Sequence, residues 1–75
     1  MKILNFFRGV YVITVATSAV NEVLDLLVSH NIPFHGQKFT DTTLTFRLYP
    51  PYFKAYDRLR GEERYEGEVR RHLGL

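Results

Sequence analysis

An α+β fold with elements in the order βαββαβ is predicted by three features of this 75-residue sequence. Apolar residues recur at helical spacing over residues 18–30 and 51–59 and with period two over 43–49. β-branched and aromatic residues dominate 9–17, and Gly, Pro, Asn and Asp punctuate the joints between segments. The order is that of the ferredoxin-like, split βαβ plan: a four-stranded antiparallel sheet of order 4-1-3-2 with two helices on one face. The domain is expected to cover residues 9–75, preceded by an apolar arm or short helix at 1–8.

Each element has its own warrant. Ile3, Leu4, Phe6 and Phe7 lie at near-helical spacing ahead of Gly9, and four apolar side chains in so short a segment need a cover. Val10, Val12 and Ile13, with Tyr11 and Thr14, make a strand that is apolar on both faces, as suits a central position. Thr17 or Ser18 is placed to cap the first helix, whose Val20, Val23, Leu24, Leu27 and Val28 follow the i, i+3, i+4, i+7, i+8 rule. Asn31 and Pro33 stop it.

Residues 34–40 contain Gly36 and Lys38 and read as a blunted edge strand, with Asp41 and Thr42 as a turn. Leu44, Phe46 and Leu48 alternate with Thr43, Thr45 and Arg47, giving one buried and one solvated face. Pro50 and Pro51 open the second helix, with Tyr52, Ala55, Tyr56 and Leu59 as its stripe and Gly61 as its end. A last strand is expected at 64–71, with Tyr65, Gly67 and Val69 on one face and Arg64, Glu66, Glu68 and Arg70 on the other. The expected core is Val10, Val12, Val20, Val23, Leu24, Leu27, Leu44, Phe46, Tyr56 and Val69.

Composition narrows the function classes. The chain is 45% hydrophobic with five Tyr and six Phe, which favours a folded domain over disorder. It contains no cysteine, so disulfides, thiolate metal sites and thiol nucleophiles are absent together. The net charge is +2. Lys2, Arg8, Glu22 and Asp25 cancel in the first half, and mixed signs follow rather than a single-sign stripe, which disfavours nucleic acid. Lys2 and Arg8 ahead of Val10–Ala16 imitate a signal peptide, but the run is β-branched and interrupted by Tyr11 and Thr14. No apolar run approaches the roughly 20 residues that span a bilayer, so the chain reads as soluble.

No chemical site stands out. His30, His35 and His72 are not spaced as zinc ligands, and no cofactor is expected. Ser18 and Ser29 lack a base, and Glu62, Glu63, Glu66 and Glu68 lie among Arg58, Arg60, Arg64, Arg70 and Arg71, as on a solvated ion-pair face. A non-enzymatic chain is therefore expected. The third strand lacks the basic-Gly-aromatic signature of RNA-recognition domains. Tyr49, Tyr52, Phe53 and Tyr56 surround the Pro50-Pro51 pair, an aromatic density suited either to a contact surface or to the domain's own core.

Phe6-Phe7-Arg8-Gly9 leading into the 10–15 strand, the helix ending in Asn31-Ile32, and the tail Glu68-Val69-Arg70-Arg71-His72-Leu73-Gly74-Leu75 resemble the N-terminal portion of the YqfD family of stage IV sporulation proteins. The resemblance implies a cytosol-facing domain of an integral membrane protein from spore-forming Firmicutes, with an interaction or scaffolding role. It also implies a membrane span after residue 75, for which Arg70 and Arg71 would lie on the positive, inner side. It carries no catalytic residue. A protein partner or self-association is expected, with Ile3, Leu4, Phe6, Phe7, Tyr49, Tyr52, Phe53, Arg70 and Arg71 as the candidate contact residues. Residues 1–8 serve either that contact or the chain's own core. The rival readings are an RNA-binding module and a small-ligand sensor of the same fold.

Overall fold

In the computed structural model of the protein, residues 9–61, 65 and 67–73 are described. Strand β1 (Val10–Ala16) runs through a 3₁₀ turn (Thr17–Ala19) into helix α1 (Val20–Ser29). Strands β2 (His35–Phe39) and β3 (Thr43–Leu48) form a hairpin, followed by helix α2 (Pro50–Arg60) and strand β4 (Val69–Leu73). The four strands make one sheet of order β2-β3-β1-β4, or 4-1-3-2 from its other edge, with every neighbouring pair antiparallel.

One face of the sheet carries the core. In the β1–β3 ladder Ile13 lies opposite Phe46 and Val15 opposite Leu44. With Leu48 they form a fully buried layer that meets Val23 and Leu27 of α1 and Tyr56 of α2 in a single apolar cluster. Burying a side chain of this size contributes roughly 1.5–3 kcal/mol, so these few residues carry most of the hydrophobic stabilisation of a small domain. The T-shaped contacts of Phe46 with Phe34 and with Tyr56 tie the loop before β2 and helix α2 to this layer.

The helix ends follow from local chemistry. Beyond α1, Asn31 takes the left-handed conformation (φ 55°), donating its N–H to the Val28 carbonyl while the Ile32 N–H reaches Leu27. This is a Schellman ending, and the buried Ile32 supplies its usual apolar contact. At the other end no side chain caps α1, so Thr17 and Ser18 form part of the 3₁₀ turn instead of capping the helix. Pro50 occupies the first position of α2, where its missing N–H costs nothing, and Gly61 closes that helix at φ 62°. Edge strand β2 is bulged between His35 and Lys38, with Gly36 at φ 65° supplying the left-handed residue such a bulge uses.

Two expectations about phase need correction. In β1 the buried residues are Ile13 and Val15, while Val10 and Val12 alternate onto the opposite, half-buried face. The last strand begins at Val69, not 64, and its phase is inverted: Val69 is 50% exposed, whereas Glu68 and Arg70 point beneath α2. Both errors share a cause. A strand apolar on both faces, or charged on one and sparsely apolar on the other, has a period but no phase until its neighbours are placed.

Candidate functional site

The inverted phase of β4 creates a polar joint between α2 and the sheet. The Glu68 side chain is fully buried. Its Oε2 accepts the Tyr56 hydroxyl at 3.0 Å and the Arg70 Nε at 2.7 Å, and its Oε1 accepts the Tyr65 backbone N–H at 2.9 Å. Arg70, only 8% exposed, also donates through Nη1 to Asp57 on α2. Arg60 brings its Nε to 4.0 Å from Glu68 Oε1 and lays its guanidinium 3.6 Å over the Tyr65 ring. Two carboxylates thus face two guanidinium groups. Glu68 accordingly does not belong to a solvated ion-pair face.

Burial pushes the Tyr56 phenol well above the ordinary tyrosine range, and the charge of Glu68 and the hydrogen bond to it push the same way. Burial opposes the Arg70 charge, but the hydrogen bond it donates to Glu68 and the charge of that carboxylate outweigh it, so the guanidinium is held more firmly protonated than usual. Arg60 Nε and Arg70 Nη2 are buried without a hydrogen-bond partner among the described residues. An ion joint left short of acceptors contributes little net stability while making the loss of one partner expensive.

The opposite face of the sheet has a different character. Register and alternation place Val10, Val12, Thr14 and Ala16 of β1 beside Thr43, Thr45 and Arg47 of β3 and beside Val69, Arg71 and Leu73 of β4. Lys38 of β2 joins them opposite Thr45. Thr14 and Thr45 share a hydroxyl hydrogen bond of 3.0 Å at its centre. The helices leave this face open. It presents apolar Val10, Val12, Val69 and Leu73 flanked by exposed Lys38, Arg47 and Arg71, and no described carboxylate lies on it.

A third feature lies at the end of the β2–β3 ladder. Pro33, Phe34, His35, Tyr49 and Tyr52 line an open cleft of about 490 Å³. The His35 and Tyr49 rings stack at 4.7 Å. At the same end of the sheet, near the start of β1, Tyr11 stacks on Phe53 at 3.7 Å and packs against His72.

The sequence-derived contact residues therefore separate. Tyr49 and Tyr52 meet at the cleft, Phe53 lies against Tyr11 and the core, Arg70 sits in the joint, and only Arg71 reaches the open face. Ile3, Leu4, Phe6 and Phe7 lie outside the described residues. Sequence reasoning placed Arg47 on a solvated face without assigning it a contact, and missed Val12, Val69 and Leu73 as residues of the open face and Glu68 as a buried one. The available signal was the apolar pair Val69 and Leu73 at even spacing around Arg71. Among the described residues no group of three or more His, Asp or Glu converges as a metal site requires, and no helix is long and apolar enough to cross a membrane. Comparison with protein-family models, curated proteins and solved structures finds no match for this chain.

Two expected outcomes test the joint. Glu68→Gln keeps the shape but strips the buried cations of their counter-charge, and is expected to cost about 3–5 kcal/mol in urea unfolding, much of it recovered when Arg70→Met is added. The Tyr56 phenol holds its proton more tightly folded than unfolded. Its contribution is therefore complete below about pH 10 and is lost as pH rises beyond that value. The urea midpoint of the natural sequence is expected to fall above that pH more steeply than that of Tyr56→Phe.

Proposed function

We propose that this chain is a non-enzymatic protein-interaction domain that docks a polypeptide through the open face of its sheet. The observation that carries the reading is the make-up of that face: an apolar strip bordered by three cations, without a described carboxylate. Exposed apolar surface with a polar rim is the usual character of a docking site. We assign the fold to the ferredoxin-like plan, supported by the strand order and by both helices contributing to one core. That plan hosts many unrelated functions, so it adds nothing by itself to the choice among them.

The proposed setting is the cytosolic face of a sporulation membrane protein of the YqfD type, in which the domain acts as a scaffold. The resemblance of 6–9, of the helix ending at Asn31-Ile32 and of 68–75 supports this setting. The face favours protein over RNA, because its centre is aliphatic and hydroxylic, with Val12, Thr14, Thr45 and Val69, and the described aromatic stack of His35 on Tyr49 lies at its β2 margin. A small-ligand sensor is the second reading, and the cleft of Pro33, Phe34, His35, Tyr49 and Tyr52 favours it.

A photo-crosslinking amino acid at Val12 or Thr45, in the full-length protein in its own cells, is expected to capture a protein. The same group at Glu22 on α1 should capture none. RNA adducts from the sheet, or protein adducts from α1 alone, would overturn the docking reading. The membrane setting is checked by the reading frame after Leu75, which is expected to encode about 20 consecutive apolar residues soon afterwards. A stop codon in their place removes that setting.

A further inference from the structure

We infer that the docked polypeptide is an extended, acidic segment that adds to the sheet as a fifth strand beside β4 and so prolongs the open face, its carboxylate opposite Arg71 and apolar side chains opposite Val69 and Leu73. The inference rests on the docking reading and specifies the partner's chemistry and its mode of binding.

The two edges of the sheet are not equivalent. β2 is bulged between His35 and Lys38, a device that deters strand addition. β4 instead pairs with β1 in unbroken register over five residues, from Val69 opposite Thr14 to Leu73 opposite Val10. It contains no Pro or Gly, so its backbone follows β1 without interruption to the sheet's edge. An inward-pointing charge often disqualifies an edge strand. Here that charge is Arg70, already paired with Glu68 and Asp57 under α2, and an added strand would leave it undisturbed.

Alternation then sets what the new strand must carry. On the open face it meets Val69, Arg71 and Leu73 in turn, an apolar-basic-apolar row continued inward by Val12 and Arg47. Directly opposed side chains in a ladder interact, opposite charges attract, and like charges repel. The complement is apolar-x-acidic-x-apolar, a pattern that reads the same in either strand direction. Backbone pairing supplies affinity in this mode and the alternate side chains supply selectivity.

The other occupants fit the charges less well. A second copy whose β4 continued the face would place the two Arg71 side chains opposite or diagonal to one another. The chain's own residues 1–8 carry Lys2 and Arg8 and no carboxylate.

The test uses the full chain and a fluorescent peptide, Thr-Val-Thr-Glu-Thr-Val-Thr, with a second in which Lys replaces Glu. Anisotropy at low salt is expected to show about fivefold to tenfold tighter binding of the Glu peptide, an advantage that shrinks as salt screens it. Arg71→Glu should reverse the order of the two peptides. Amide shifts in ¹⁵N spectra should centre on residues 69–73 rather than 35–39. Equal binding of both peptides, or shifts centred on β2, overturns the inference. So does peptide binding that appears only after residues 1–8 are deleted, which would make that segment the occupant. So does a concentration-dependent dimer abolished by Leu73→Glu, which would make it a second copy. Protein adducts from Val12 without any preference for the Glu peptide would remove this inference and leave the docking reading intact.

Discussion

The burial of the Glu68 carboxylate is the constraint on which the second half of the sheet depends. Successive residues of a strand point to opposite faces, so fixing one fixes all. With Glu68 held by Tyr56 and Arg70, the Arg70 guanidinium must also lie beneath α2, and Val69, Arg71 and Leu73 must lie on the far side. A slip by one residue would drive Arg71 under the helix and take Arg70 away from Asp57 and Glu68. It would uncover little apolar surface and strand several charges. The joint therefore specifies register more than it adds stability, in keeping with the unpartnered Arg60 Nε and Arg70 Nη2.

This arrangement divides labour within the sheet. The two central strands hold the apolar core, Ile13 and Val15 against Leu44, Phe46 and Leu48. Edge strand β4 contributes Arg70 and His72 on the same side, with Arg70 in the joint and His72 against the Tyr11 ring. Helix α2 matches that division. Tyr56 has its ring against Phe46 and its hydroxyl on Glu68, so one side chain spans the apolar and polar halves. A tyrosine suits the place because its body is apolar and its tip is a donor.

The legible parts of the fold were those in which period and phase coincide. On β3, Leu44, Phe46 and Leu48 could be assigned to the core because Thr43, Thr45 and Arg47 occupy the other positions, and on α1 Val23 and Leu27 form the centre of the apolar stripe, whose margin residue Val28 is instead exposed. Strand β1 offered no such contrast, since Val10, Val12, Ile13 and Val15 populate both parities. In β4 the contrast existed but pointed the wrong way. Charges at 68 and 70 beside a valine at 69 read as an outward polar face, and only the placement of Tyr56, Asp57 and Arg60 on α2 reverses that reading. Those partners lie eight or more residues away in sequence, beyond the reach of a periodicity argument. The open face was illegible for the same reason, because it is what remains after the phase of β1 and β4 is set.

Net charge concealed the feature that distinguishes this face. The whole sequence carries only +2 and mixes signs along its length. Folding sorts them. Glu22 and Asp25 are exposed on α1 with Lys54 and Arg58 exposed on α2, a balanced layer, whereas Lys38, Arg47 and Arg71 converge across the sheet with no described carboxylate among them. A local field of one sign beside apolar surface attracts acidic partners and fixes their register more than it adds affinity. The aromatic cleft at the end of the β2–β3 ladder has no Asp, Glu, Lys or Arg in its lining. Of the two surfaces the sheet face is therefore the one whose described residues carry charge of a single sign, and that make-up traces back to the carboxylate buried beneath the other face.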